Sequence, residues 1–255
     1  MKISIIGSGW LAQPLAQYLQ QQGHDLLLTC TSQEKIKTLQ ATGLNAITYQ
    51  LGDQLSNPEY LFDTDVLIIA ITSKDVEAFE VLMDQLIDQN CRHIIFISST
   101  SVYANDQQTH DETSESLQHG HPLLQIEELI QTHQFSTILR LAGLVGPGRH
   151  PGNFFRDGKT IKSPDAPVNL IHLDDVIGTL QTVIENNAWN EVYNVCADTH
   201  PTKAVFYSQM ALELGNKALN LNNEQPSSHK TVSNQKLKHQ LGYQLIHPDV
   251  MKMTF

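Results

Sequence analysis

The residues whose types and spacing constrain chemistry most tightly stand near the start of the chain. Gly7-Ser8-Gly9-Trp10-Leu11-Ala12 follows the apolar run Ile3–Ile6 and leads into a helical pattern. A G-x-G-x-x-A string between a strand and a helix is the pattern of a turn that holds a dinucleotide. Gly7 permits the tight turn, Gly9 lets the backbone approach a pyrophosphate, and Ala12 is small enough for helix and strand to pack closely. The helix start, with Trp10 and Leu11, offers N–H groups and the positive end of the helix dipole to phosphates. The end of the second strand separates the two nicotinamide cofactors, because a carboxylate there bonds the ribose hydroxyls of NAD and repels a 2′-phosphate. That strand ends Cys30-Thr31-Ser32, with Lys35 close behind. Thr31, Ser32 and Lys35 therefore favour NADP(H) over NAD(H), and Ser32 is equally suited to cap the following helix.

Two other clusters carry polar chemistry. Arg149, His150, Asn153 and Arg156 sit in one Gly- and Pro-rich loop, and the two Arg are among only 16 basic side chains in the chain. Paired guanidiniums suit a carboxylate or phosphate on a substrate; the alternative is that they are solvated loop cations. His172, Asp174 and Asp175 resemble a metal-ligand cluster, but Asp174 reads better as a helix N-cap and Asp175 as a residue favoured by the helix dipole. The twelve histidines are scattered, and no metal is expected.

Short apolar runs alternating with amphipathic stretches must position these residues. Strands are predicted at Ile3–Ile6, Leu26–Cys30, Ala46–Tyr49, Val66–Ile71, Ile94–Ile97, Thr137–Leu141 and Val192–Val195. Helices are predicted at Leu11–Gln21, Gln33–Thr42, Val76–Gln89, Leu124–Thr132 and Val176–Glu185. In the third of these, Phe79, Leu82, Met83, Leu86 and Ile87 form the apolar face. The alternation implies βαβ units: a Rossmann-type α/β fold, a doubly wound parallel sheet with helices on both faces. Residues 1–145 and 172–196 form the expected core of a single domain. Residues 146–171 and 197–255 form a small C-terminal substrate lobe, in which 146–167 and 216–231 read as loops and Phe206 and Met210 as core.

A formal net charge of -11 argues against nucleic acid and anionic membrane surfaces as partners. Cys30, Cys91 and Cys196 are far apart and form no CxxC pair, which points to a reducing, cytoplasmic setting. No stretch approaches the roughly 20 apolar residues of a membrane span.

Further residues give the chain a resemblance to the extended short-chain dehydrogenase/reductase superfamily, the NAD-dependent epimerases and dehydratases, and within it to an atypical bacterial YeeZ-like subgroup. Asp53, in Tyr49-Gln50-Leu51-Gly52-Asp53, matches the Asp that contacts adenine, with Gln54 beside it. Ala70-Ile71-Thr72 matches the strand end that lies along the cofactor. Ile97-Ser98-Ser99-Thr100-Ser101-Val102-Tyr103, Arg140–Gly148, Leu170–Val176 and Leu241-Gly242-Tyr243 match later motifs. The resemblance implies that Ser98 borders the cofactor, that Ser99 orients a substrate oxygen, and that Thr100 and the Arg149 loop face the substrate.

The family's Tyr and Lys are replaced in the best register by His119 and Leu123, with Glu127 four residues on. Three readings follow: His119 serves as the acid/base, since imidazole titrates near neutrality; Tyr103 is recruited instead; or the chain binds a dinucleotide as a sensor without hydride chemistry. The expected partner is a small carbonyl, hydroxyl or sugar-like molecule, and the chain is expected to be a monomer or homodimer.

Overall fold

The computed structural model describes residues 1–155, 159–216, 219–222 and 229–255. Seven strands form one sheet: β1 (Lys2–Ile6), β2 (Asp25–Cys30), β3 (Asn45–Thr48), β4 (Thr64–Ile69), β5 (Cys91–Ser99), β6 (Ser136–Leu141) and β7 (Val192–Val195). Their spatial order is β7-β6-β5-β4-β1-β2-β3, a parallel Rossmann-like sheet. The inner strands are apolar almost throughout because both faces are covered: Ile3, Ile5, Val66, Leu67, Ile68, Ile69, Ile94, Ile95 and Phe96 are fully buried. The connecting helices are α1 (Ala12–Gln21), α2 (Gln33–Ala41), α3 (Val76–Leu86), α4 (Pro122–Gln131), α5 (Leu173–Glu185) and α6 (Lys203–Glu213).

Each helix follows from a local rule. Helix α1 buries Ala12, Leu15, Ala16 and Leu19, one stripe at helical spacing, and Pro14 is tolerated because it lies in the first turn. Ser32 caps α2 and Asp75 caps α3, accepting the Lys35 N–H (3.3 Å) and the Ala78 N–H (3.1 Å). Helix α3 ends at Leu86, short of the expected Gln89, and Ile87 is 75% exposed rather than part of the apolar face. The cap of α4 is His121, whose ring Nδ1 accepts the Leu123 N–H (3.2 Å), with Pro122 at the first helical position.

Contacts divide the chain into two compact units. The first comprises Met1–Ser98, His119–Leu139 and Val183–Val192; the second comprises Ser99–Gln118, Arg140–Thr182 and Tyr193–Phe255. Within the first, the segment 183–192 is fastened to β6: Asn190 exchanges bonds with Ser136, the Thr137 hydroxyl donates to Ala188 O (2.8 Å), and Trp189 stacks on His93 at 3.9 Å.

The second unit is built from short parallel strand pairs: Leu170–His172 with Gly143–Val145, Asn220–Asn222 with Thr160–Lys162, and Thr231–Val232 with Thr109–His110. Both segments expected to be plain loops thus contain strands; three-residue strands are too short to show a period. Phe206 and Met210 are buried with Val145, Val168, Leu170, Ala197, Val250 and Met253 in one core cluster.

Helix α5 corrects another expectation. It begins at Leu173, so Asp174 lies inside its first turn, and the cap is the ring Nδ1 of His172, which accepts the Asp174 N–H (3.2 Å). Asp175 is fully buried and anchors the chain near its end, accepting from Tyr243 Oη (3.0 Å), Ile246 N (2.6 Å) and His247 N (3.0 Å).

Candidate functional site

In the first unit a cavity of about 580 Å³ opens on the turn between β1 and α1, lined by Gly7, Ser8, Gly9, Thr31, Tyr49, Ala70, Ile71 and Thr72 among others. Gly7 has φ +119°, and a Cβ there would lie 2.6 Å from the Ala70 carbonyl oxygen, so only glycine fits. Its N–H donates to the Thr29 hydroxyl (3.0 Å). A Cβ on Gly9 would meet no protein atom within 4 Å, so the space before it is open to a ligand. No side chain caps α1 and no acid stands in its first turn, which leaves its positive end suited to an anion.

The Tyr49 hydroxyl is buried without a hydrogen-bond partner. Burial, reinforced by the Asp53 carboxylate and only partly offset by the nearby Gly52 N–H, which lies outside good hydrogen-bond geometry, pushes its pKa up to about 12. The hydroxyl is therefore protonated and enclosed by protein, while Tyr49 as a residue contributes to the cavity wall. The open ground before Gly9 and the uncapped start of α1 both fit a dinucleotide.

The expected cofactor residues divide. Gly7, Gly9, Thr31, Ala70, Ile71 and Thr72 line this cavity; Trp10, Leu11, Ser32, Lys35, Asp53, Gln54 and Ser98 are not among its lining. Ser32 is used as the α2 cap and Lys35 is half-buried in the first turn of that helix. Asp53 lies beyond the end of β3 in a turn, where its carboxylate accepts the Gln50 N–H (3.2 Å). Ser98 is buried and donates to Glu127 Oε1 (2.5 Å), so the retained Glu of α4 is the partner of this serine. His119 is exposed in the turn before α4, and Leu123 is buried within that helix.

In the second unit a cavity of about 420 Å³ is lined by Ser99, Thr100, Ser101 and Arg149, and also by Lys203, Lys230, Phe154 and Tyr207. Ser99 Oγ accepts the Ser101 N–H (3.1 Å), and the Thr100 hydroxyl donates to Leu141 O (3.3 Å). His150 and Asn153 do not line it: the His150 ring accepts the Gly152 N–H (3.0 Å) and packs edge-on against Phe255. Arg156 lies outside the described residues.

Tyr103 lines neither cavity. It is fully buried, donates to Asn194 Oδ1 (2.8 Å), accepts from Arg140 Nη1 (2.9 Å) and stacks on His110. Burial raises its pKa even with the Arg140 guanidinium beside it. This is a core pillar of the second unit.

Among the described residues, His172, Asp174 and His247 converge with ligand-type atoms within 4.8 Å of one another. Both ring nitrogens of His172 are engaged, Nδ1 as the α5 cap and Nε2 with Thr254 O (3.0 Å), so the cluster acts as a clasp on the chain's end. Cys30, Cys91 and Cys196 are all buried thiols, and burial pushes Cys91 and Cys196 up to about 12, out of reach of thiolate chemistry. No described helix is long and apolar enough to cross a membrane.

Protein YeeZ of Escherichia coli (strain K12) is 33% identical to the chain over 270 aligned residues, covering 99% of this chain and 98% of YeeZ. The chain belongs to the YeeZ family. Residues 2–101 of this YeeZ-family chain also match a family model described as NADP oxidoreductase coenzyme F420-dependent. Among solved structures, a functionally unknown conserved protein from Silicibacter pomeroyi DSS aligns with TM-score 0.82 at 23% identity, covering 98% of this chain and 95% of that one. UDP-glucuronic acid 4-epimerase from Bacillus cereus, in complex with NAD, aligns with TM-score 0.79 at 18% identity, covering 99% and 96%. These structural likenesses show that the YeeZ-family chain shares one fold with both proteins.

Sequence reasoning missed Tyr49, Lys203 and Lys230 as cavity residues. Tyr49 stands directly before the turn that carries Asp53, and an aromatic after a strand reads as core. Lys203 follows Thr202, whose hydroxyl accepts the Val205 N–H (3.3 Å), a cap signal that would have placed it at a helix start. Lys230 has no local signal; it is brought to the cavity by the pairing of Thr231 with Thr109.

Proposed function

We propose that this chain binds NAD(P) in the cavity of its first unit and acts as an epimerase-, dehydratase- or reductase-type protein on a small carbonyl, hydroxyl or sugar-like compound. The observation that carries the reading is the cavity on the Gly7–Gly9 turn, with its uncapped helix start and the open space before Gly9. The match of residues 2–101 to an NADP oxidoreductase model supports it, as does the likeness to an NAD-bound epimerase. A bound nicotinamide supplies hydride exchange; the protein supplies binding, orientation and proton handling.

In this reading the Gly7–Gly9 turn and the start of α1 hold the pyrophosphate. The absence of an acid at the end of β2, with Thr31 in the lining and Lys35 in the first turn of α2, supports NADP(H) over NAD(H). Ser99 uses its oxygen to cap Ser101 and keeps its hydroxyl proton to donate to a substrate oxygen. His119 stands at the register of the family's Tyr and is the acid/base candidate.

One observation favours a second reading, a dinucleotide-binding sensor without hydride chemistry. The register of the family's Lys is filled by Leu123, buried in α4, which can neither hold a ribose nor depress a neighbouring pKa.

Titration with NADPH and with NADH, followed by nicotinamide fluorescence, tests the first step. Tighter NADPH binding supports the proposal; equal or tighter NADH binding refutes the cofactor preference; binding of neither refutes the site. With a turned-over substrate in hand, His119→Ala separates the two readings, since retained turnover removes His119 from the chemistry.

A further inference from the structure

We propose that the cavity of the second unit is a site for a small anionic polyol, a sugar acid or sugar phosphate without a nucleotide. Naming that molecule the substrate rests on the dinucleotide-dependent reading above; its binding does not.

Charge carries the argument. The chain has 27 acidic and 16 basic side chains, yet the described lining of this cavity holds Arg149, Lys203 and Lys230 and no carboxylate. Lys203 and Lys230 put two like charges around one space, and an anion that enters it is attracted by both. Neither lysine is in an ion pair with a described residue. Lys203 is the first residue of α6, at the positive end of the helix dipole, where a cation is disfavoured. Burial lowers the pKa of Lys230 against the pull of the Asp106 carboxylate, which does not line the cavity, so it too is placed at a cost.

The site is built rather than incidental. The Asn169 amide donates to Lys230 O (2.9 Å) and accepts the Val232 N–H (2.9 Å), clamping the backbone on both sides of Thr231. The Lys230 ammonium donates one bond to Tyr103 O (2.6 Å), and an ammonium has three hydrogens to give. Tyr103 is itself locked by Arg140 and Asn194. The ammonium is thus held by an unmoving carbonyl and has two donors left for a ligand.

The rest of the lining fits hydroxyls. Ser99, Thr100, Ser101 and Asn105 supply hydroxyl and amide groups. The Phe154 and Tyr207 rings lie 6.4 Å apart at 55° and touch each other. They form no parallel slot for a nucleobase but offer an apolar wall for the face of a sugar ring.

The experiment is calorimetric titration of the whole chain with D-glucose 6-phosphate, D-glucuronate, D-glucose and UDP-glucose. At least one of the two small anions should bind about tenfold or more tightly than both glucose and UDP-glucose, as loss of one charge-assisted contact predicts. Which anion wins tells phosphate from carboxylate. Lys203→Gln should weaken that anion by about tenfold, whereas Lys162→Gln, the same charge change at an exposed residue outside the cavity, should not. If Lys203→Gln fails to fold, the wild-type affinity must still fall steeply with added salt. No heat with either small anion, equal binding of glucose, tighter binding of UDP-glucose, or an unchanged affinity in folded Lys203→Gln each overturns the proposal. NADPH binding, measured on the same samples, reports on the first unit separately, so loss of one reading is distinguishable from loss of the other.

Discussion

Replacing each glycine of the first turn by alanine should separate stability from binding. At Gly7 the φ of +119° puts an alanine in the left-handed region, at about 1–2 kcal/mol. The new Cβ would lie 2.6 Å from Ala70 O and 3.0 Å from Ile71 Cγ2. Ala70 cannot simply recede, because its own N–H donates to Ile6 O (2.9 Å), next to Gly7 in the chain; stretching that bond costs about 1 kcal/mol more. The sum is about 2–3 kcal/mol, or a fall in Tm of roughly 4–12 °C for a chain of this size. Gly9 has neither problem: its φ is outside the left-handed region and an added Cβ meets no protein atom within 4 Å. Gly9→Ala should leave Tm within about 2 °C, or raise it slightly through the unfolded chain. It should still weaken nicotinamide dinucleotide binding by about tenfold or more, because its methyl occupies the ground the pyrophosphate needs. Differential scanning calorimetry and NADPH titration read the two effects. A Gly7→Ala protein with wild-type Tm refutes the steric account, and a Gly9→Ala protein with wild-type affinity refutes the cradle.

Tyr103→Phe removes an acceptor from Arg140 and a donor from Asn194 in a fully buried setting, and should cost about 1–3 kcal/mol in urea unfolding while leaving NADPH affinity unchanged; an equal midpoint would show that the pillar carries no stability. Asp175→Asn weakens three bonds to Tyr243, Ile246 and His247 that are charge-assisted now, and should cost about 2–4 kcal/mol; protection of the Ile246 and His247 amides from hydrogen exchange should fall first. His172 has its pKa lowered by burial and by the neighbouring His247, against the pull of Asp174. A depressed imidazole pKa gives stability that is present above its unfolded value and lost as pH falls, so wild-type stability should drop below about pH 6.5. His24, His93 and His200 are lowered by burial too, so His172→Asn should show a shallower drop rather than none, and parallel pH profiles for the two proteins would contradict the role of His172.

How much was legible in the sequence depended on whether the signal was local. The Gly7–Gly9 turn and the seven sheet strands were readable because each is a short string whose period or glycines report the backbone directly. Both His caps were missed because capping rules rank Ser, Thr, Asp and Asn, whereas His172 and His121 do the same work with a ring Nδ1 that stands as many bonds from the backbone as the oxygen of an Asp or Asn. Tyr103 suggested chemistry by its register; its burial and its bonds to Asn194, 91 residues on, were invisible in one dimension. Lys230 is the clearest limit: a lysine in a polar stretch becomes a cavity residue through a two-residue strand pairing that no periodicity reports. Arg149 was found because its loop carries Gly and Pro punctuation that marks it off from its surroundings.

The first unit is assembled from three separated stretches, and the last of them, 183–192, is fastened to β6 by Asn190, Ala188 and Trp189. A ribosome delivers the chain in order, so residues 1–139 are synthesised before the piece that closes their unit, with 140–182 emerging in between. During that interval the edge of β6 lacks its partners, and His93 lacks the indole that covers it. A ribosome stalled before residue 183 should leave β6 open to proteases, and one stalled well beyond 192 should protect it.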